Sequence, residues 1–271
     1  MNKFLKKILC AVTSLACVTA CFGLSACEDI KTMEVKLSAN GTEYTMSVEL
    51  YRHLAPETCK IIEKYVAEGY YDGSLIYKND SFGKQLMVGD LVLDGKNVKQ
   101  SAAKPEIYGE FEKNGTTGSN LVSEKGSIGL WRSWTAFDAS DSKYKASNGM
   151  DSGMATWFIP TDTISEYNGY FCVFATYDKT ATANSEAIDA LGKVFDSSDN
   201  YTEYVIYYTG EYDAAKSGEN YGLEFHCVTK SDYESVDKDT VFEAKNEQLV
   251  RFNKQNVKIS ENTKIVSVKL K

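Results

Sequence analysis

The sequence predicts a mainly β fold, a closed antiparallel β-barrel with two helices. Short apolar runs alternating with polar residues recur along the chain. The first two runs are separated by Asn40-Gly41, which reads as a tight hairpin turn. Only two segments carry helical spacing, too few for a parallel α/β arrangement.

Met33, Val35 and Leu37, then Tyr44, Met46, Val48 and Leu50, are apolar at every second position, giving a hairpin with one buried face. Pro56 opens a helix that places Ile61, Ile62, Tyr65 and Val66 on one side, and Gly69 stops it. Strands follow at Ser74 to Tyr77 and Gln85 to Leu91. The polar stretch from Asp94 to Glu124 then reads as loops. Gly126 to Trp131, Ala155 to Ile159 and Tyr170 to Ala175 read as interior strands. A second helix, Ser185 to Phe195, has Ile188, Leu191 and Phe195 at helical spacing, with Ser185 as its N-cap. Tyr201 to Tyr208 and Gly222 to Thr229 read as paired strands joined by the turn-rich Gly210 to Asn220. Val266, Val268 and Leu270 alternate at the end.

The first 27 residues read as an export signal. Lys3, Lys6 and Lys7 precede an apolar run from Ile8 to Leu24, and Leu24-Ser25-Ala26-Cys27 closes it. This segment resembles a bacterial lipoprotein signal, which implies cleavage before Cys27 and lipidation of its thiol. A transmembrane helix is the alternative, but the run is at the short limit of about 17 to 25 residues and no other apolar run follows. The expected divisions are residues 1–26 as signal, 27–32 as anchor linker and 33–271 as the folded domain.

Removing the three signal lysines carries the net charge from −8 to −11, which argues against nucleic acid and against a polybasic membrane surface. The lipid is then the one expected membrane contact, at the extracytoplasmic face. Of seven cysteines, Cys59, Cys172 and Cys227 remain in the domain; one disulfide is open to them, but their apolar neighbours favour buried thiols. The two histidines, His53 and His226, leave little scope for metal or nucleophilic chemistry. His226 and Cys227 are adjacent in an expected strand and so point to opposite faces. Asp138, Asp141 and Asp151 lack calcium-loop spacing and read as a solvated loop. No metal or cofactor is expected.

Several motifs then occur in a telling order. Val48-Glu49-Leu50-Tyr51 is followed by Leu54-Ala55-Pro56-Glu57-Thr58, then Gly69-Tyr70-Tyr71-Asp72-Gly73 and Val88-Gly89-Asp90. Further on come Gly126-Ser127-Ile128-Gly129-Leu130, Ala155-Thr156-Trp157-Phe158-Ile159 and Asn168-Gly169-Tyr170-Phe171-Cys172-Val173-Phe174-Ala175. Together they resemble the cyclophilins, peptidyl-prolyl cis-trans isomerases built on a barrel capped by two helices. The resemblance covers most of residues 33 to 195 and the last ten or so, which makes about 197–256 an insertion.

The resemblance implies a chemistry. Rotation about an Xaa-Pro bond meets a barrier near that of the peptide bond, roughly 18 to 20 kcal/mol, because the C–N bond has partial double-bond character. Cyclophilins hold the proline ring in an apolar pocket and set an arginine beside the prolyl nitrogen, favouring the twisted transition state. Carried over residue by residue, that arginine falls on Lys78, which keeps the charge without the planar fork. The family glutamine becomes Met87, and the upstream pocket phenylalanine falls near Lys84 or Phe82. Trp131 and Arg132 replace the residues that receive the substrate backbone, Thr156 replaces a second glutamine, and Phe158 retains the pocket phenylalanine. Glu166, Tyr167 and Phe171 stand for the family's tryptophan, leucine and histidine. The expected substrate-binding set is therefore Met87, Trp131, Phe158, Tyr167 and Phe171, with Lys78 as the catalytic cation. Each also has an ordinary reading, the apolar ones as barrel core and Lys78 as a solvated surface lysine.

Two function classes follow. One is an extracytoplasmic, lipid-anchored isomerase acting on proline-containing exported proteins. The other is a non-catalytic module that keeps the barrel and cleft and binds peptide or protein. A purely structural surface lipoprotein is a third, and the tyrosine-rich Tyr201 to Tyr221 bears on it: exposed tyrosines imply an interaction face, buried ones added strands.

Overall fold

The computed structural model describes residues 31–80, 83–116, 121–132, 152–213, 222–243 and 252–271. The signal with Cys27, the acidic residues Asp138, Asp141 and Asp151, and Phe82 lie outside the described residues. Thr32–Lys271 form one compact unit that holds every described strand and helix.

The elements in chain order are β1 (Thr32–Ala39), β2 (Thr42–Leu50), α1 (Pro56–Ala67), β3 (Ser74–Asn79), β4 (Gln85–Asp94), β5 (Asn97–Gln100), β6 (Ser127–Arg132) and β7 (Gly153–Pro160). Then follow β8 (Val173–Thr176), α2 (Thr182–Asp196), β9 (Thr202–Thr209), β10 (Glu224–Thr229), α3 (Lys230–Tyr233) and β11 (Gln255–Leu270). Antiparallel pairing in the order β1-β2-β8-β6-β7-β4-β3-β11 returns to β1 and closes an eight-stranded barrel. Closure leaves none of these eight as an open barrel edge.

Local chemistry explains most of the element boundaries. Asn40 and Gly41 both have positive φ, 50° and 87°, the primed turn that a two-residue hairpin needs. Helix α1 starts with proline at its first turn, but its N-cap Ala55 makes no side-chain bond. Glu110, buried in a distant loop, takes over. Its Oε1 accepts from Glu57 N at 3.1 Å and its Oε2 from Thr58 N at 2.6 Å, placing a carboxylate on the positive helix end.

Helix α2 begins at Thr182, so Ser185 lies inside its first turn, bonded to Ala181 O. Its buried face is Ala187, Ile188, Leu191, Val194 and Phe195. Asn184 from the same helix accepts from Ser47 N at 2.9 Å, so a side-chain amide completes β2 where β8 pairs only with Glu49 and Leu50.

Two further departures from the sequence reading have identifiable reasons. Asn97–Gln100 pair with β4 through a turn at Asp94 to Asn97, a short hairpin whose polar residues hid the alternation. In β11, a bulge against β1 passes from Lys36↔Ser267 to Leu37↔Ile265. The extra residue is Val266, and Ile265 fills the core in its place.

Strand β11 serves two partners along one side: Gln255 to Ile259 pair with β9, and Lys264 to Leu270 pair with β1. The β9–β10 hairpin therefore extends the sheet past the end of the barrel. Its Tyr204, Tyr207 and Tyr208 are buried.

Candidate functional site

Three neighbouring strands fix the candidate site by register. Ile76 pairs with Val88 and Val88 with Trp157, and all three belong to the core inside the barrel. One residue along, Tyr77 pairs with Met87 and Met87 with Phe158, and these belong to a second apolar cluster on the outer side of the same wall. Gly129 of β6 pairs with Phe158 and ends the row. A Cβ at Gly129 would lie 2.0 Å from Phe158 Cζ, so the missing side chain is what lets the ring lie flat across β6.

The structure brings Met87, Trp131, Phe158, Tyr167 and Phe171 together in that second cluster. Trp131 stacks on Phe171 at 5.3 Å between ring centroids and meets Phe158 edge-on at 6.3 Å. Tyr167 lies 4.3 Å from Phe171 and 5.4 Å from Phe158. All five are buried, Phe158 completely. Arg132, the neighbour of Trp131, is buried too; its Nε donates to Tyr170 O at 2.6 Å and its guanidinium sits over the rings of Phe111 and Phe171. Burial lowers that guanidinium to about 10.

Lys78 lies on the other face of β3. It pairs with Leu86, a residue of the barrel core, and with Lys258 across β11. The residue that β3 turns toward Met87 and Phe158 is Tyr77. Its hydroxyl donates to Asp90 Oδ2 at 2.8 Å. Burial holds the Tyr77 phenol well above its ordinary range and pushes the Asp90 carboxyl up to about 6, even though the bond from Tyr77 favours its ionised form.

The β9–β10 hairpin covers this face. Ile206 and Tyr208 of β9 and Phe225 of β10 share with Tyr77, Met87, Trp131, Met154 and Asp90 the walls of a cavity of about 40 Å3. Trp131, Tyr208 and Phe225 narrow the space beside Tyr77 and Met87. Phe252, just before β11, packs edge-on against Tyr208 at 5.2 Å and is fully buried.

Tyr77, Asp90, Tyr208 and Phe225 are the site residues that sequence reasoning missed. Leu75, Ile76 and Tyr77 are consecutive and buried on both faces, so alternation could not tell which of Tyr77 and Lys78 faces the cleft. The usable signal was Asp90, a carboxylate within the apolar run Leu86 to Leu93.

The family model for cyclophilin type peptidyl-prolyl cis-trans isomerase/CLD matches residues 33–207, more than half of the chain. The chain belongs to the cyclophilin family. Among solved structures, the Cryptosporidium parvum cyclophilin type peptidyl-prolyl cis-trans isomerase crystallised in the presence of the dipeptide Ala-Pro is similar at 18% identity. The match covers 58% of this chain and 84% of that one, with a TM-score of 0.35. A second structure of that enzyme is similar at 15% identity, covering 73% and 98%, with a TM-score of 0.38. No curated protein sequence matches.

Proposed function

We propose that this chain is an exported, lipid-anchored member of the family that binds polypeptide at the outer face of a membrane without catalysing prolyl isomerisation. One observation carries this reading: the outer face of the β3–β4–β7 wall is filled by Trp131, Tyr167 and Phe171 and roofed by the β9–β10 hairpin. Accelerating the rotation requires a proline ring seated on that face, with a cation beside its nitrogen that acts more strongly on the twisted form. Tyr77 is the β3 residue that shares this face with Met87 and Phe158, and its hydroxyl proton is committed to Asp90. Cys27 and the extracytoplasmic location rest on the signal-like first 27 residues.

An isomerase acting on exported proteins is the second reading. It is favoured by the family match over 33–207 and by the retained Phe158 beside Met87. Cis/trans exchange of an Ala-Pro-Phe peptide, followed by NMR with Thr32–Lys271, separates the two. The expected outcome is no acceleration. Acceleration that falls in Lys78→Ala would replace the first reading with the second.

A further inference from the structure

The sheet around the outward cluster nearly closes on itself a second time. From end to end it runs β5-β4-β3-β11-β9-β10, and each neighbouring pair is hydrogen-bonded. The two end strands then come side by side, with Cα atoms of β5 and β10 within 8 Å of one another, yet no ladder joins them among the described residues. Val98 of β5 lies in the apolar cluster, and Phe225 and Cys227 of β10 pack against it from across this seam.

The hydrogen-bond pattern shows which backbone groups face the seam. Thr209 pairs with Glu224 of β10 on one side and with Val241 on the other. On that other side Tyr208 O accepts from Phe242 N at 2.7 Å, so the Tyr208 backbone points away from β10 and those of Tyr207 and Thr209 point toward it. Their partners His226 and Glu224 are bonded within the hairpin. The N–H and C=O groups of the alternate residues, Phe225 and Cys227, therefore point outward. On β5, Ser101 N donates to Asp90 O at 2.8 Å, and the same alternation turns the Val98 backbone away from β4. These outward main-chain groups of Val98, Phe225 and Cys227 have no hydrogen-bond partner among the described residues.

We propose that an extended polypeptide segment enters this seam and adds as a strand between β5 and β10. The inference rests on the reading of the chain as a polypeptide-binding module and names where, and in what conformation, that module binds. Two facing edges offer main-chain donors and acceptors on both sides of the incoming segment, and main-chain bonding of this kind places little demand on its sequence. Alternation sets its side-chain chemistry. Residues turned to the cluster come between Val98 and Phe225 or Cys227, where apolar groups fit. Residues turned the other way come beside the exposed Lys99 and Glu224, where polar groups fit. The ligand is thus a segment of alternating apolar and polar residues, such as an unfolded protein presents.

Strand β5 is the element able to make room. A third strand needs its two neighbours roughly 9 to 10 Å apart, so the seam must widen by about 2 Å. β5 has four residues, follows the two-residue turn Gly95-Lys96 and sends one fully buried side chain, Val98, into the cluster. Moving it from β10 breaks no ladder bond.

The test is amide chemical-shift titration and hydrogen exchange of Thr32–Lys271 with Ac-Thr-Val-Thr-Val-Thr-NH2, beside the same peptide N-methylated at both valines. Methylation keeps every side chain and removes the main-chain donors along one edge. The unmethylated peptide is expected to shift the amides of Val98, Phe225 and Cys227, to slow their exchange tenfold or more, and to bind roughly tenfold tighter than the methylated one. Cys227→Pro deletes one outward donor at an edge position, where proline is tolerated, and should weaken the unmethylated peptide several-fold. If that variant does not fold, alkylation of Cys227 by iodoacetamide in the unmodified protein replaces it, and bound peptide must slow the reaction. Equal binding of the two peptides, or binding without shifts at Val98, Phe225 and Cys227, overturns strand addition while leaving the polypeptide-binding reading in place. No binding of either peptide, or of a reduced and carboxymethylated unfolded protein, overturns both.

Discussion

The inward face of the β3–β4–β7 wall carries Ile76, Val88 and Trp157 in one row, and the outward face carries Tyr77, Met87 and Phe158 one residue along. Both rows are buried, but what covers them differs. The inward row is closed by the barrel itself and by α1 and α2, elements contributed all along the chain. The outward row is closed by Trp131, Tyr167 and Phe171 and by the β9–β10 hairpin, which lies between α2 and β11 in the chain. The outward face, like the inward one, is packed as a core.

The largest expected effects test whether the two cores are equally necessary. Trp157 is buried against Tyr71 at 4.3 Å and Phe174 at 6.0 Å, so Trp157→Ala should cost about 3 to 5 kcal/mol in urea unfolding. Phe158→Ala should cost a similar amount, about 3 to 5 kcal/mol, if the outward core is fully formed. A value near 1 kcal/mol would mean that the cover contributes little, and that the cleft is nearly open.

Gly129 sharpens the same comparison from the other side. Gly129→Ala drives a methyl into the Phe158 ring and should cost about 1 to 3 kcal/mol or more. Pairing it with Phe158→Leu should recover a large part, because the clash is specific to the ring. Additive losses in the double variant would break the argument that Phe158 lies across β6.

Asp90 marks the boundary between the two faces and predicts a pH dependence. Its carboxyl is raised by burial from 3.8 to about 6, so the folded state holds the proton more tightly than the unfolded chain. Its contribution is greatest below pH 4, declines as pH rises and is lost once pH passes 6. The difference is on the order of 2 to 3 kcal/mol. Asp90→Asn should flatten this part of the stability curve. A wild-type curve that is flat between pH 4 and 7 would show a carboxyl that is solvated instead of buried.

The barrel was legible because hairpins write themselves in alternation. Met33 to Leu50 showed their buried faces at every second residue, and Pro56 and Gly69 bounded α1 chemically. The bulge at Val266 was not legible, since a single extra residue in a strand leaves no mark in composition. The aromatic set of the outward face could be named from motifs, because those residues are large and their spacing follows the strands. Its cover could not, because Tyr204, Ile206 and Tyr208 read equally well as an exposed face or as an added strand until β11 was seen pairing with β9.

The smallest effect is expected at the residue to which family resemblance gives the catalytic charge. Lys78 is half-buried on the side of β3 away from Phe158, beside Leu86 and Lys258. Its alkyl stem packs along the sheet while its charge remains near water, so Lys78→Ala should change stability by no more than about 0.5 kcal/mol. It should leave the Asp90 midpoint unchanged, since the β3 backbone separates it from Asp90's partner Tyr77. Tyr77→Phe is the informative contrast. It deletes only the hydroxyl that donates to Asp90, removing the partner of Oδ2, and so should raise the Asp90 midpoint further. If Lys78→Ala moved that midpoint and Tyr77→Phe did not, the side chain facing the cleft would be the lysine, and the register that makes this face a closed core would have to be abandoned.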